Sequence, residues 1–431
     1  MRQHAFMLAL LFAASGVFAE GWDEIYTARL NNSATYLESK LTLKSAEADY
    51  ADYTKPYIPT VSISTGTSGS DDTYESGLVV GSDGATSGTL IPSITFEKLL
   101  GGADLSFKAP VNIASTGEVS MGNPALSVSR TLFPETAANQ LDAEAALISA
   151  QASLQAIKND IRIELATDVL DTIYYRRLLE SSKENLEILE KVRKATVDTT
   201  TQRELDKSIL EAQKSILTAT SALADIKDDV KNNADALYED ITRLQSGWLA
   251  SINGEEPKSS MTIRSLELSL AAAEKRKSFS ILPYLPNPTI AASVYYNVDT
   301  STVDWALSFK LSYDLVNKNE NALSALKREE YPKIYSIKLE EAQKGLKDGL
   351  RQINDTLESL DLDKKIKDID LADSDDDMAR QEKLYNGGFI SEEDYVMAQI
   401  DLAILKIEAQ KIDFDILIQK LKLAQYYEES Q

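Results

Sequence analysis

Pro283-Tyr284-Leu285-Pro286, followed by Thr289-Ile290-Ala291-Ala292-Ser293-Val294-Tyr295-Tyr296 and by Trp305-Ala306-Leu307-Ser308-Phe309-Lys310-Leu311-Ser312-Tyr313, decides the fold of this chain. Trp305, Leu307, Phe309, Leu311 and Tyr313 alternate with Ala306, Ser308, Lys310 and Ser312, the period of two that sends successive side chains to opposite faces of a strand. One face is apolar and the other small or polar, so the strand meets two different solvents. Ile290, Ala292, Val294 and Tyr296 do the same just upstream. A soluble sandwich with its apolar face buried shows this periodicity too. The aromatics Tyr284, Tyr295, Tyr296, Trp305 and Tyr313 favour a membrane barrel with interfacial girdles.

Working outward, the opening tetrapeptide has a counterpart. Pro56-Tyr57-Ile58-Pro59 also follows a helical, Ala-bearing stretch and precedes alternating residues. Val128-Ser129-Arg130-Thr131-Leu132-Phe133 parallels Leu311-Ser312-Tyr313-Asp314-Leu315-Val316, and Thr201-Gln202-Arg203-Glu204-Leu205 parallels Ser391-Glu392-Glu393-Asp394-Tyr395. Three anchors in one order, twice, imply two repeats. Pro59 to Phe133 spans 74 residues but Pro286 to Val316 only 30, so the first half carries about 44 extra residues among its strands. There Leu90, Ile94 and Phe96, then Leu105 and Phe107, flank Gly101-Gly102 and predict an additional hairpin at the membrane end, from about Gly69 to Asn112, which either joins the barrel strands or stands above them. Leu126, Val128 and Thr131 mark a weaker strand after it.

The remaining sequence is helical in period. Leu147, Ala150, Leu154, Ile157 and Ile161 form one three-four stripe. Ile400, Ile404, Ile407, Phe414, Ile418 and Leu421 form another, with Lys411 its one polar member, and such stripes imply antiparallel coiled-coil packing. Phe133 to Thr201 is 68 residues and Val316 to Ser391 is 75, a difference of one heptad that keeps a facing stripe in phase. Thr201-x-x-Glu204 and Ser391-x-x-Asp394 read as capping boxes that start returning helices. Asn386-Gly387-Gly388 supplies a left-handed helix stop ahead of the second, whereas Val197-Asp198-Thr199-Thr200 ahead of the first has no Gly. Gly247, Asn253-Gly254 and Pro257 predict a seam between the halves.

Composition narrows the function. The chain has 431 residues, no Cys and one His, which excludes disulfides, thiolate metal sites and thiol nucleophiles. Arg2, the apolar run from Ala5 to Ala14 and Val17-Phe18-Ala19 read as a secretory signal over 1–19, whose cleavage removes His4. No other stretch is apolar enough for a membrane-spanning helix, so any insertion must use strands. A net charge of −23 without basic clusters argues against nucleic acid and against anionic lipid surfaces. No metal, cofactor or catalysed reaction is expected.

Taken together, Pro56-Tyr57-Ile58-Pro59 with its strand, the Ser129 to Phe133 strand end entering a helix, and Tyr385, Gly388, Ile390, Ser391, Asp394, Ala398 and Gln399 resemble the TolC-like outer membrane efflux protein family over the whole mature length. The resemblance implies an α+β membrane protein: a homotrimer whose strands close one transmembrane β-barrel in the outer membrane, above a long periplasmic α-helical barrel, built from two structural repeats. It implies a passive exit duct for a tripartite efflux pump or a type I secretion system. Its partners would be outer membrane lipid, a periplasmic adaptor (membrane fusion protein) and an inner-membrane transporter, with no nucleic acid. Four or six strands per chain are too few to close a barrel alone, which agrees with assembly from several chains.

On this reading 20–56 is a periplasmic helix and 57–133 the outer membrane strands with their extra hairpin. Long helices follow over 134–245, the seam over 246–261 and a helix over 262–282. Strands of the second repeat occupy 283–316 and long helices 317–431. The implied entrance places Glu392, Glu393 and Asp394, with Glu204 in the corresponding turn, as gate or lumen candidates, although capping explains Asp394 and Glu392 equally well. Tip residues Val197, Asp198, Thr199, Thr200, Thr201, Gly387, Gly388, Phe389 and Ile390 are adaptor-docking candidates. Asp373, Asp375, Asp376 and Asp377 line the tunnel or form a solvated face. The competing reading is a periplasmic coiled-coil adaptor or scaffold, which would carry one helical hairpin rather than two.

Overall fold

Alternation in the sequence becomes a single antiparallel sheet. The structure, a computed structural model, describes residues 20–66, 79–80, 86–113, 116–250, 260–279, 282–311 and 319–427. The expected signal peptide and the segment paralleling Ser129 to Phe133, residues 312–316, lie outside them. The strands are β1 (Thr60–Gly66), β2 (Val79–Val80), β3 (Thr86–Lys98), β4 (Ala103–Lys108), β5 (Val111–Ile113), β6 (Val119–Met121), β7 (Ala125–Thr131), β8 (Thr289–Asn297) and β9 (Thr302–Lys310).

These strands reduce to six continuous lines. β4 and β5 pair with β3 in one register, Ser93 opposite Lys108 and Leu90 opposite Val111, and Ala109 N–H bridges the gap by donating to the Pro92 carbonyl at 3.0 Å. Pro110, which has no N–H, divides the line into two named strands. β6 and β7 likewise form one line against β5 and β4, with a one-residue slip at Gly122-Asn123-Pro124, the signature of a bulge. The order is then β1, β3, β4/β5, β6/β7, β8, β9, each antiparallel to the next, with β2 continuing beside β3.

The Gly101-Gly102 hairpin forms as the alternation predicts. Gly102 has φ +111° and lies beside Thr136, where an added Cβ would come within 2.6 Å of the Thr136 hydroxyl oxygen. The turn therefore sits at the helix-bearing end of the sheet, and the described part of the extra segment joins the sheet between β1 and β7, the first of the two placements left open, instead of standing above it. The reason is register: β4 matches β7 over six residue pairs, and β1 matches β3 over seven.

The helices are α1 (Glu20–Asn31), α2 (Ala34–Thr54), α3 (Thr136–Ala195), α4 (Thr199–Asp225), α5 (Asp228–Ala250), α6 (Met261–Lys277), α7 (Glu320–Asn386) and α8 (Glu392–Ala424). At about 1.5 Å per residue, α3 is roughly 90 Å long and α7 roughly 100 Å. The expected single helix over 20–56 is two, because Ser33 starts a new one by accepting the Tyr36 N–H. α5 runs through Gly247, past the predicted start of the seam. One helical Gly costs about 1 kcal/mol, too little to end a helix alone. Residues 251–259 of that seam lie outside the described residues.

The chain divides into two compact units, one of Met1–Glu38, Ser153–Ser260 and Lys344–Gln431 and one of Ser39–Ala152 and Met261–Gln343. The first is helical. Its core joins Trp22 of α1, Leu165, Val169 and Leu170 of α3, Val230, Leu237 and Ile241 of α5, and Phe414, Leu417 and Leu421 of α8. Lys411 escapes this apolar stripe by pairing with Asp171 at 2.9 Å and Asp415 at 3.2 Å. The second unit holds the sheet and its flanking helix ends, where Arg276 meets Asp142 at 2.5 Å and Arg328 meets Glu135. Among the described residues no helix is long and apolar enough to cross a membrane.

Candidate functional site

Two features stand out, the faces of the sheet and the helical tips. Across the six strand lines, Val61, Ile94, Phe107, Leu126, Val294 and Trp305 stand opposite one another in one unbroken row. All six are 39–77 % exposed. A second row runs Phe96, Leu105, Val128, Ala292 and Leu307. The adjacent row on the other face is Thr60, Thr95, Ser106, Ser127, Ser293 and Ala306, all small and mostly hydroxylic. A water-covered sheet has no reason to expose such a large apolar patch. β8 and β9 have nine residues each, about the length that crosses a bilayer at a 45° tilt.

The sheet is also open. β1 and β9 are its first and last lines, and each leaves one edge of backbone N–H and C=O groups without a strand partner among the described residues. Such an edge is untenable in lipid, where every backbone polar group must find its partner within protein.

At the opposite kind of site, the α3–α4 turn is built without Gly. α3 ends at Ala195 and α4 begins at Thr199. Asp198, and not Thr201, is the N-cap: its carboxylate accepts from Thr200 N–H at 3.1 Å, Thr201 N–H at 2.8 Å and the Thr201 hydroxyl at 2.9 Å. The predicted capping box of Thr201 and Glu204 is thereby displaced by three residues. Asp198 wins because its full charge meets the N–H cluster at the positive helix end. Hydrogen bonds from Thr201, first its backbone N–H, hold the Asp198 carboxyl below its ordinary value. The Gln202 side chain donates to the Thr196 carbonyl at 2.6 Å, satisfying the outgoing helix end that a Gly would otherwise have closed.

The α7–α8 turn follows the sequence closely. Gly388 adopts φ +74°, Phe389 N–H reaches back to the Leu384 carbonyl at 2.9 Å, and Gly388 N–H reaches the Tyr385 carbonyl at 2.9 Å, the paired bonds of a Schellman stop. Ser391 and Asp394 form the predicted capping box. Tyr385 and Tyr395 stack in parallel at 4.8 Å across the turn.

The tips of the two hairpins are joined. Thr196 donates its hydroxyl to Glu393 at 2.6 Å. Beneath that bond Leu189, Val192, Leu205, Val396 and Ile400 form a small core. The Thr196 bond, with backbone and Ser391 contributions, holds the Glu393 carboxyl below its ordinary value. Of the gate candidates, Asp394 is thus engaged in a cap and Glu393 in a strut, while Glu392 and Glu204 are exposed. Among the docking candidates Val197 and Phe389 are 89 % and 80 % exposed, two apolar side chains held out at neighbouring tips. Asp375 pairs with Lys406 at 3.3 Å and Asp377 with Arg380, while Asp373 and Asp376 are exposed. The Thr196–Glu393 bond and the Asp198 cap were not found by sequence reasoning. Asp at the head of a run of Thr was the available signal for the cap.

No family model matches the sequence, and neither does any curated protein. Solved structures do match. The chain is similar to the Campylobacter jejuni outer membrane channel CmeC at TM-score 0.61 and 11 % identity, over 95 % of this chain and 88 % of that one. It is similar to the Neisseria gonorrhoeae outer membrane channel MtrE at TM-score 0.59 and 12 % identity, over 94 % and 88 %. It is similar to CusC, a protein studied for transmembrane channel formation, at TM-score 0.58 and 13 % identity, over 95 % and 92 %. At these identities the likeness is one of fold, and it extends over nearly the full length of the chains.

Proposed function

We propose that the chain is an outer membrane exit duct, passive and non-enzymatic, that serves a tripartite efflux pump or a type I secretion system. Three copies would close their sheets into one barrel in lipid and their two-repeat helical parts into a periplasmic tunnel. The observation that carries this reading is the two-faced sheet, with an exposed apolar row across six lines, a hydroxyl row behind it and, among the described residues, edges at β1 and β9 without a strand partner. Exposed stripes on the helices add support. Leu362, Ile366 and Ile369 on α7, and Leu210 and Leu217 on α4, are apolar surface that a neighbouring copy would cover.

The helical tips are then the entrance. Val197 and Phe389 would dock a periplasmic adaptor, with Asp198 to Thr201 and Gly387 to Ile390 shaping the two turns, and Glu392 and Glu204 would place charge at the mouth. An inner-membrane transporter would complete the pump. Cell fractionation tests the reading: detergent extraction from the outer membrane as a heat-modifiable oligomer of three copies is the expected result. Release of a monomer with soluble periplasm would refute it in favour of a periplasmic coiled-coil scaffold.

A further inference from the structure

We infer that the sheet is one third of an eighteen-strand barrel, whose lumen admits hydrated molecules about 20 Å across, the width of two packed helices. The inference rests on the three-copy reading above and concerns what such a duct passes: bulky hydrophilic cargo, polypeptide included, would meet no size filter in its membrane wall.

The extra segment is what widens the wall. β3 pairs with β1 over seven residues and with β4 over four, and β4 pairs with β7 over six. Removing β3 to β5 would leave β1 without any of its present partners. The inserted lines also carry the same two faces as the rest: Ile94 and Phe107 continue the exposed apolar row, and Thr95 and Ser106 continue the hydroxyl row. An inserted hairpin standing in water would have no cause to keep that pattern in register with four membrane lines.

Strand direction agrees with closure by copies. The six lines alternate in direction, so β9 of one copy and β1 of the next meet antiparallel, as the wall of an antiparallel barrel requires. Six lines alone fall below the eight of the smallest known barrels. Eighteen strands about 4.8 Å apart and tilted about 40° give a wall about 36 Å across. Allowing about 5 Å on each side for inward side chains, half of a packed sheet spacing, leaves a lumen about 26 Å wide. With four lines per copy the wall would be about 24 Å across and the lumen about 14 Å.

The lining suits a hydrated passage. Glu97, Asp104 and Asp304 share the hydroxyl face with Lys108 and Lys310, so the described wall is close to neutral, and its middle row from Thr60 to Ala306 carries no charge. Such a wall neither sorts ions strongly nor holds an apolar cargo.

The test uses the full chain in lipid nanodiscs, imaged end-on by electron cryo-microscopy, with copy number from native mass. Three copies and a wall about 36 Å across are expected. Three copies with a wall near 24 Å would overturn the eighteen-strand barrel and leave the duct standing. Two copies, or no closed wall, would overturn both. A second measurement covers the case in which end-on views are too few. The chain has no Cys, so Phe107→Cys and Ser106→Cys each take a single spin label. The label at 107 should be reached by oxygen dissolved in lipid and the label at 106 by a water-soluble nickel chelate. Chelate access at both positions would place the inserted strands outside the membrane and overturn the inference.

Discussion

An arginine at Leu126 and an arginine at Ser127 should have opposite consequences, although the residues are neighbours. Leu126 lies on the central β7, between Phe107 and Val294 in the apolar row, and is 46 % exposed. Ser127 lies between Ser106 and Ser293 in the hydroxyl row. If lipid covers the first face, Leu126→Arg costs about 2–4 kcal/mol per copy near the bilayer midplane. Three well-separated copies add to about 6–12 kcal/mol per assembled barrel. Ser127→Arg points into water and should stay within about 0.5 kcal/mol. The assay is the urea midpoint of the heat-modifiable oligomer refolded into vesicles, with the amount of oligomer in outer membranes as its cellular counterpart. Leu126→Arg should remove most of the assembled oligomer while Ser127→Arg leaves it near the native level. If water covers the apolar row, both substitutions fall within about 0.5 kcal/mol, and that outcome would falsify the lipid-facing assignment.

Three further outcomes follow from the helical parts. Replacing Glu392 and Glu204 together by Gln removes exposed charge near the tips without touching the Ser391–Asp394 box. With three copies inside roughly a Debye length of about 8 Å, the reversal potential in a salt gradient should shift toward zero, and an unchanged potential would place these acids outside the lumen. Acidification should loosen the tips: Glu393 and Asp198 have carboxyl values below their ordinary 4.5 and 3.8, so their contribution is complete above those values and lost as pH falls through the lower folded ones. Proteolysis around Val197 to Thr201 should therefore rise only below about pH 4.5, and a rise between pH 7 and 5 would contradict the assignment. Leu165→Ala, at a fully buried position of the helical core, should cost about 2–5 kcal/mol by calorimetry or denaturant midpoint, and a cost under about 1 kcal/mol would show that α3 does not carry that core.

The strands were legible because a period of two is imposed by strand geometry itself. Trp305 to Phe309 and Ile290 to Tyr296 needed nothing from elsewhere in the chain to announce two faces. Gly388 was legible for a similar reason, since a left-handed φ leaves few residue choices. The short β5 and β6 were not, because three residues are too few to show a period, and Pro110 and Pro124 interrupt the lines they belong to. The cap of α4 was missed because Asp198 and the three threonines after it are all residues that favour caps. Composition alone does not choose among them; the backbone path after Ala195 does.

Position along the chain explains what the sequence hid about the tips. Thr196 and Glu393 are 197 residues apart, and neither carries a local mark of its partner. A reading confined to spacing gathers Glu392, Glu393 and Asp394 into one acidic cluster and credits them with one field. Folding separates them into three roles: Asp394 closes its own helix end, Glu393 ties two hairpins together, and Glu392 is left exposed. The donors that hold Asp394 and Glu393 are neutral, so both keep their charge, but that charge is fixed in a cap and a strut that folding needs. Since the described sheet wall is close to neutral, the described residues that can give the proposed duct an ion preference lie in its helical part. Within the acid cluster itself, Glu392 is the charge that can be removed without breaking the Ser391–Asp394 cap or the Thr196–Glu393 bond.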